Sequence, residues 1–404
     1  PRRRLPTTTA AMKCRHRRPL RLRRLRLTRR HPLRLAERSC SDVNWTDQQS
    51  AAIRSVIKWA TSRGGPQVMR LFGWAGTGKT QIAQAIGEEL GGAVFCAPTG
   101  KAALVLKKRG CYNATTCHSL IYKAEENDHG KVTFKRNPES LLGAYRLCVC
   151  DESSMVDDDV GNDMLSFGTK ILALGDPFQL PPVGGGAGFF TSVSPDIMLT
   201  DIRRQALDSP VIRMSMDIRE GRGLAPGRYG DSIVALRESM TRDQIRTLVD
   251  ESDQILCGRN TTRQSINMRV RHYMGVDDPA PRVGDKLVCL KNNREKALIN
   301  GGLWMTKRVK QLGRDYVMMV ETDDDPDIHE PVEVRTPFEF FLGEEKKLDW
   351  RARKTADEFT YGYALTVHKS QGSAWPHVMV FDESSVFRED RERHLYTAVT
   401  RAVD

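Results

Sequence analysis

Short apolar runs of β-strand length recur along the chain from about residue 67, and stretches with helical periodicity separate several of them. The first run, residues 67–72 (QVMRLF), ends in a glycine-rich turn that precedes a helical pattern over residues 81–90. Further runs, each predicted to be a buried strand, cover residues 92–97, 146–150, 170–174, 254–257 and 377–381. Strands that alternate with helices predict an α/β fold with parallel sheets.

Two segments depart from this alternation. Between about residues 282 and 355, runs such as VGDKLVCL and YVMMVE alternate in strand fashion between turn signals, which predicts a small all-β insertion. Residues 121–138 surround the turn sequence NDHG and predict a β-hairpin that projects from the first α/β unit.

The length of the chain, 404 residues, exceeds what one hydrophobic core usually holds, so two or three domains are expected. With 39% hydrophobic and 28% charged residues, the composition is that of a globular protein. The sequence contains neither an apolar run of membrane-spanning length nor a secretory signal. Nine cysteines, an odd number without metal-binding spacing, fit a reducing compartment, and Cys148 and Cys150 are expected to be plain buried thiols.

The net charge of +12 comes from the start of the chain. Residues 1–40 hold 15 Lys and Arg against one acid, Glu37, whereas the remaining residues carry 48 basic and 50 acidic groups, a balance of −2. The basic segment is predicted to be disordered. Three interpretations stay open for it: an arm that grips nucleic acid, an organelle transit peptide, or sequence upstream of the true start.

Residues 73–80 (GWAGTGKT) match the phosphate-loop pattern G-x-x-x-x-G-K-[ST] at every fixed position, between a predicted strand and a predicted helix. The backbone of such a loop closes around phosphate oxygens, Lys79 reaches the β and γ phosphates, and the Thr80 hydroxyl takes a Mg²⁺ coordination position. The loop residues expected to bind nucleotide are Gly73, Gly76, Thr77 and Gly78, together with Lys79 and Thr80.

A carboxylate pair follows the apolar run 147–150. Asp151, at the carboxyl end of that predicted strand, is placed to hold Mg²⁺, while Glu152 can orient or deprotonate the attacking water. Two other acidic runs receive ordinary structural interpretations. Residues 157–159 are expected to cap a helix or face solvent, and residues 323–325 to form a solvated turn.

Eight segments occur in an order that resembles the superfamily 1B helicases, specifically their RecD-like and phage Dda-type branch. They are WTDQQ (45–49), GWAGTGKT (73–80), APTGK (97–101), DESSM (151–155), GDPFQLPPVG (175–184), DIRRQ (201–205), ALTVHKSQG (364–372) and YTAVTRA (396–402). The resemblance covers about residues 43–402.

This resemblance implies further roles at the nucleotide. Gln49 matches the glutamine that reads the adenine edge, and Gln179 the residue that links the γ-phosphate to the DNA groove. Arg204 and Arg401 match two arginines that reach the γ-phosphate from the second α/β domain, so that ATP acts as a clamp between domains. Gln371 and Gly372 lie close to the nucleotide in the family.

The resemblance also implies a path for single-stranded nucleic acid across both domains. The residues that match backbone contacts are Pro98, Thr99, Lys101, Thr116 and His118 in the first domain and Thr366, His368, Lys369 and Ser370 in the second. Short polar side chains suit phosphate contacts, which position a strand without reading its sequence. No base-stacking role is assigned to Trp74, which is expected to pack on the neighbouring sheet.

The implied architecture is two RecA-like domains with parallel sheets, a hairpin that acts as a pin, and an SH3-like β insertion. The expected boundaries are a basic tail at 1–40, the first RecA-like domain at 41–198 with the hairpin at about 121–138, the first part of the second RecA-like domain at 199–281, the insertion at 282–355, and the second part of that domain at 356–404. The chain ends three residues after Arg401, where relatives usually continue into a last strand, so an incomplete edge of the second sheet is expected.

The function implied is that of an ATP-dependent DNA helicase that moves 5′ to 3′ on single-stranded DNA as ATP closes the two domains. Three alternatives stay open: a P-loop ATPase that translocates or remodels without separating strands, an RNA helicase, and a non-catalytic binding protein that depends on its basic tail. The expected cofactors are ATP and Mg²⁺, and the expected partners are single-stranded DNA, duplex junctions and proteins of replication or recombination. A monomer in the cytoplasm of a bacterial or phage-infected cell is expected, away from membranes, with organelle targeting by the tail left open.

Overall fold

The structure is a computed structural model that describes residues 44–126, 132–182, 188–202, 208–322, 324, 328 and 330–403. Every element below lies in the compact unit Asn44–Asp404. The basic tail at residues 1–40 lies outside the described residues.

The strands and helices are numbered in chain order. The strands are β1 Val68–Gly73, β2 Val94–Ala97, β3 Thr115–Thr116, β4 Tyr122–Glu126, β5 Val132–Arg136, β6 Leu147–Cys150, β7 Lys170–Gly175, β8 Ile197–Leu199, β9 Gly227–Tyr229, β10 Ser232–Val234, β11 Gln254–Cys257, β12 Lys286–Cys289, β13 Leu303–Leu312, β14 Asp315–Glu321, β15 Val332–Pro337, β16 Phe359–Tyr361, β17 Ala364–Thr366 and β18 Val378–Val380. The α-helices are α1 Asp47–Thr61, α2 Lys79–Glu89, α3 Gly100–Lys108, α4 Cys117–Ile121, α5 Asp158–Leu165, α6 Pro210–Arg219, α7 Arg242–Glu251, α8 Asn260–Tyr273, α9 Glu339–Leu342, α10 Trp350–Thr355, α11 Val367–Ser370 and α12 Arg391–Val399. Short 3-10 helices are Leu141–Ala144, Ser153–Met155, Arg237–Ser239, Glu345–Lys347 and Ser384–Asp390.

A six-stranded sheet in the order β3-β2-β6-β7-β1-β8 forms the first lobe, and all of its strand pairs are parallel. Helices cover both faces: α1, α2 and α3 pack on one core, and α4 and α5 on the other. Every residue of β2 and β6 is buried. Burial on both faces explains why these strands read as continuous apolar runs instead of alternating ones.

A smaller sheet in the order β17-β11-β18 is also parallel and forms, with α6, α8 and α12, the second lobe. The two parallel sheets confirm the predicted α/β class. All six predicted strand runs are strands, and their bounds differ from the prediction by at most two residues at either end. The strands β8, β9 and β10 were not predicted, since runs of three residues carry too little periodicity.

An antiparallel sheet in the order β15-β14-β13-β12-β16 makes up the insertion sheet. Buried and partly exposed residues alternate along β14, as expected for a strand with one face on a core. The sheet extends past the predicted boundary at 355, because β16 pairs with β12 before the chain enters β17 of the second lobe. Its SH3-like character stays a prediction.

The predicted hairpin is formed by β4 and β5, which pair from Tyr122 with Arg136 to Glu126 with Val132. Its turn, residues 127–131, lies outside the described residues. Among the helices that the structure describes, none is long and apolar enough to cross a bilayer.

Candidate nucleotide and nucleic-acid site

The phosphate loop connects β1 to α2 and depends on its glycines. Gly76 and Gly78 have φ angles of 80° and 81°, in the left-handed region that glycine tolerates. At Gly73 a Cβ atom would lie 2.6 Å from Thr77 Oγ1 and 2.8 Å from Leu199 Cβ. A side chain at that position would therefore force the loop away from β8.

Lys79 begins α2 and folds back over the loop. Its Nζ donates to the carbonyl oxygens of Gly73 at 2.6 Å and Trp74 at 3.0 Å. Thr77 supports the same turn, because its hydroxyl donates to the Trp74 carbonyl at 2.8 Å. The ammonium thus lies in the ring of backbone groups that a phosphate would approach.

Gln49 lies beside this loop, buried at 1% exposure. Its Nε2 donates to the Thr77 carbonyl at 2.9 Å, and its Oε1 accepts from the N–H of Thr46 at 3.1 Å. The second bond belongs to a capping box that begins α1. Gln49, which is predicted to bind the adenine edge, therefore contacts the phosphate loop directly.

The predicted metal ligands lie together across the loop. The Thr80 hydroxyl donates to Asp151 Oδ2 at 3.0 Å, and Asp151 Oδ1 accepts the N–H of Glu152 at 2.9 Å. Glu152 has a φ of 50°, a left-handed conformation that a side chain rarely adopts outside strained sites. Burial raises the pKa of Glu152, and the positive charges of Arg401 and Lys79 oppose that rise. Lys79 and Arg401 act in the same way on the buried carboxylate of Asp176, whose pKa burial also raises.

Arg401 follows α12 in the second lobe and is 5% exposed. Its Nε donates to the Thr397 carbonyl at 3.1 Å and its Nη1 to the Ser373 carbonyl at 3.2 Å. These bonds hold the guanidinium against its own lobe. The other predicted arginine, Arg204, lies outside the described residues.

Two residues that the sequence analysis did not assign connect the lobes at this site. Tyr396, on α12, donates its hydroxyl to Asp176 Oδ2 at 2.6 Å, and the Tyr396 hydroxyl oxygen accepts the N–H of Ala75 at 3.1 Å. Asp176 follows β7 and is 1% exposed. Its position, at the carboxyl end of a strand next to β1, is the signal that would have identified it.

Three further predicted residues lie at the same boundary. Gln179 is 8% exposed, and its Oε1 has no hydrogen-bond partner among the described residues. Gln371 donates its Nε2 to the Leu180 carbonyl of the first lobe at 3.0 Å. At Gly372, whose φ is 75°, a Cβ atom would lie 2.7 Å from Ala102 Cβ. The backbone of the second lobe thus approaches α3 closely.

The predicted nucleic-acid residues of the first lobe follow the carboxyl ends of β2 and β3. The hydroxyls of Thr99 and Thr116 cap α3 and α4 by accepting the N–H groups of Ala102 and Ser119, at 3.2 and 3.0 Å. Pro98 lies between β2 and the cap of α3. The His118 ring lies 5.4 Å from the Tyr122 ring, at the base of the hairpin.

The second-lobe residues surround the short helix α11. Thr366 caps it by accepting the N–H of Lys369 at 3.3 Å. Lys369 Nζ donates to Asn300 Oδ1 at 2.6 Å, and burial lowers the pKa of Lys369 to about 8. The His368 ring lies 5.6 Å from Phe387. Ser370 is buried and bonds to the Val367 carbonyl, so its side chain does not reach this surface.

Two family models match the chain on either side of the insertion sheet. One, described as an AAA domain, covers residues 44–239, and the other, a UvrD-like helicase C-terminal domain, covers residues 361–404. The ATP-dependent RecD2 DNA helicase of Deinococcus radiodurans is 27% identical over 368 residues, which cover 84% of this chain and 46% of that protein. The chain is therefore similar to RecD-like helicases.

Two further comparisons also find helicases. The ATP-dependent DNA helicase dda of phage T4 is 31% identical over 192 residues, 44% of this chain and 43% of that protein. A solved Pif1 helicase, from work on DNA unwinding at forked duplex DNA, matches with a TM-score of 0.57 and 19% identity over 90% of this chain and 91% of that one, which shows a shared fold. The chain spans less than half the length of the two curated relatives.

One acidic run differs from its prediction. Asp324 forms an ion pair with Lys101 Nζ and accepts the N–H of Leu303 at 2.8 Å. The side chains of Lys101 and Asp324 are 11% and 22% exposed. The expectation of a solvated turn is therefore wrong for Asp324, because a cation of the first lobe binds it. The flanking residues 323 and 325 lie outside the described residues. Asp157, in contrast, caps α5 as expected, by accepting the N–H of Val160 at 2.9 Å.

Cys148 and Cys150 are buried free thiols, as predicted. Cys148 and Cys150 have other cysteines beside them: the sulfurs of Cys96 and Cys148 are 3.6 Å apart, and those of Cys117 and Cys150 are 3.9 Å apart. The sulfurs of Cys96, Cys117 and Cys150 lie within 4.8 Å of one another. Sequence spacing did not reveal this group, because three separate elements contribute to it. All four thiols are buried in the core that α4 and α5 cover.

Proposed function

We propose that this chain is the motor core of an ATP-dependent DNA helicase that translocates 5′ to 3′ on single-stranded DNA. The observation that carries the proposal is the bond from Ala75, in the phosphate loop, to Tyr396, on the helix that precedes Arg401. A triphosphate on the loop would therefore lie where the two lobes meet. Binding and release of ATP would then change how tightly the lobes are held together.

The residues of the loop suit a triphosphate bound with Mg²⁺. Thr80 Oγ1 and Asp151 Oδ2 are 3.0 Å apart, which is close to the separation of adjacent oxygen ligands around an octahedral Mg²⁺ with bonds of about 2.1 Å. These two side chains would hold the ion, which would neutralise charge on the phosphate oxygens. Lys79 would leave its two backbone acceptors for the β and γ phosphates.

Glu152 and Arg401 would then carry out hydrolysis. Glu152, whose pKa burial raises, would orient the attacking water and accept its proton. Arg401 would stabilise the charge of the transition state from the second lobe, and Arg204 is proposed for the same role. Gln179, whose Oε1 lacks a partner among the described residues, would link the γ-phosphate to the surface that binds nucleic acid.

The nucleic-acid track would run along the carboxyl ends of both parallel sheets. Its contacts would come from Pro98, Thr99, Lys101, Thr116, His118, Thr366, His368 and Lys369. Polar groups and N–H donors of this kind bind phosphates without reading bases, so the motor would be tolerant of sequence. The hairpin of β4 and β5 would divide the strands, with the insertion sheet, proposed to be SH3-like, beside the track.

Unwinding of matched duplexes with a 5′ or a 3′ overhang, made in DNA and in RNA, tests this function. We expect ATP-dependent unwinding of the DNA duplex with the 5′ overhang. Preference for the 3′ overhang would reverse the polarity, and preference for the RNA duplexes would change the substrate. ATP hydrolysis stimulated by DNA without unwinding would favour a translocase instead. Lys79→Ala serves as the control that lacks the phosphate contact.

A further inference from the structure

Trp74 and Arg219 stack across the boundary between the lobes. The Arg219 Cζ atom lies 4.2 Å from the centre of the Trp74 ring. Trp74 is the second residue of the phosphate loop, and Arg219 is the last residue of α6 in the second lobe. A planar guanidinium over an indole face is an attractive contact that a lysine reproduces poorly.

The backbone of Trp74 is part of the phosphate-binding geometry. Its carbonyl oxygen accepts the Lys79 ammonium at 3.0 Å and the Thr77 hydroxyl at 2.8 Å. A displacement of Trp74 that includes its backbone would therefore move an acceptor that fixes Lys79. A contact on the ring can in this way act on the ammonium that binds phosphate.

The helix that carries Arg219 packs against the helix that precedes Arg401. Ile218 of α6 shares one apolar cluster with Tyr396 and Val399 of α12, and Ala75 of the phosphate loop packs against the same cluster. Because the Tyr396 hydroxyl also accepts the Ala75 N–H, two successive loop residues contact the second lobe.

One hydrogen-bond donor of the Arg219 guanidinium lacks an acceptor. Its Nη1 is buried and has no hydrogen-bond partner among the residues that the structure describes. A buried N–H without an acceptor is unfavourable, so such a group is expected to gain one in another state of the site.

We propose that Arg219 is a positioning residue for ATP turnover, which acts through Trp74 to align the phosphate loop with Arg401. The inference rests on the proposed function and assigns a third arginine of the second lobe to the same site. Arg219 itself does not take part in the chemistry. Its stack on Trp74 fixes the loop relative to α12, so that Lys79 and Arg401 face one phosphate group when the lobes close.

Steady-state ATP hydrolysis with saturating single-stranded DNA and varied Mg·ATP tests this role. We expect Arg219→Ala to lower kcat roughly three- to thirtyfold, the range of one cation–π contact, while KM changes less than twofold. Trp74→Ala should cause a similar loss, and the double variant should lose no more than the larger single loss. Arg219→Lys should restore only part of kcat, because it keeps the charge and loses the planar stack.

Arg213→Ala is the matched control, since Arg213 lies on the same helix with a side chain 64% exposed, and its kcat should equal that of the wild type. A purely structural role for Arg219 would lower the melting temperature and leave kcat per folded molecule unchanged, which would overturn the inference. Single losses that multiply in the double variant would also overturn it. If Arg219→Ala does not fold, Arg219→Lys and Trp74→Phe carry the same comparison.

A wild-type chain without DNA-stimulated hydrolysis would contradict the proposed function and this inference together. An active wild type with an unaffected Arg219→Ala variant would contradict this inference alone.

Discussion

Lys101 of α3 and Asp324 of the segment after β14 form an ion pair that joins the first lobe to the insertion sheet. Lys101 is one of the residues proposed to bind a DNA phosphate, but its ammonium is already paired with the Asp324 carboxylate. Burial lowers the pKa of Lys101, and the charge of Asp324 opposes that shift. A phosphate could reach this ammonium only by displacing the carboxylate.

Asp324→Asn should therefore bind single-stranded DNA more tightly than the wild type. The variant removes the competing charge and leaves Lys101 in place, and we expect a gain of about 1.5- to fivefold at low salt, as for a partly exposed ion pair. Fluorescence anisotropy with a labelled oligothymidine at several salt concentrations measures it. Glu333→Gln, which removes an exposed carboxylate on β15 of the same sheet, is the control and should not change the affinity.

An unchanged affinity of Asp324→Asn would mean that Lys101 does not meet the DNA. A weaker affinity would mean that Asp324 orders the insertion sheet for binding instead of competing with the phosphate.

Arg401→Ala should bind ATP and hydrolyse it slowly. An arginine that stabilises the transition state from across a cleft contributes about 10³- to 10⁵-fold in rate, and its loss should appear in kcat more than in KM. Single-turnover hydrolysis with saturating DNA measures the chemical step. Because Arg401 is buried and bonds to the Ser373 carbonyl, the melting temperature of each variant must be recorded, and Arg401→Lys tests the charge alone. Turnover at the wild-type rate would remove Arg401 from the mechanism.

Binding of single-stranded DNA should weaken as the pH rises through about 8, because Lys369 loses its charge there. Burial and the charge of Arg263 together lower the pKa of this lysine to about 8, although Cys289 and Glu358 oppose the shift. The folded pKa lies below the ordinary value of 10.5, so the charged form dominates below pH 8 and the neutral form above it. The loss of one phosphate contact should reduce the slope of log K against log salt by about 0.7 between pH 7 and pH 9.

Lys369→Met should abolish this pH dependence while it lowers affinity at pH 7. A variant that keeps the full pH dependence would assign the titration to another group. Lys286, whose pKa is also lowered to about 8 by burial, is the first alternative, and Lys286→Met separates the two.

The positions that can be predicted from the sequence are those of residues within one contiguous motif or at the end of one strand. Gly73, Lys79 and Thr80 follow from one contiguous motif, and Asp151 follows from the strand that it ends, so both could be located before any fold was known. Tyr396 and Asp176 could not, because their bond joins residues 220 positions apart along the chain. The sequence predicts a solvated turn at Asp324, since an acidic run has no periodicity from which contact with a distant lysine could be inferred. The predicted insertion ends before β16 for a similar reason, because only the pairing of β16 with β12 shows where that sheet ends.

Arg271→Ala should destabilise the chain more than a change at any exposed arginine. The Arg271 side chain, 1% exposed, donates to both carboxylate oxygens of Asp285 at 3.2 Å and to the carbonyls of Asp278 and Ala280 at 2.6 Å each. Its guanidinium also stacks 4.3 Å from the centre of the Tyr361 ring in β16. Removal of Arg271 leaves the buried Asp285 carboxylate without its counter-ion, although the Arg282 N–H and the Tyr363 hydroxyl still donate to it. Loss of one partner of a buried ion pair costs about 3–5 kcal/mol.

The loss should appear as a lower urea midpoint in equilibrium unfolding. Arg269→Ala is the control, because Arg269 is exposed on the same helix, and its effect should stay within about 0.5 kcal/mol. The double change Arg271→Met with Asp285→Asn should recover part of the stability, since it removes both charges and keeps most of the volume. Equal stability of Arg271→Ala and Arg269→Ala would show that the ion pair does not hold α8 to the insertion sheet, and that apolar packing of β16 against β12 is sufficient.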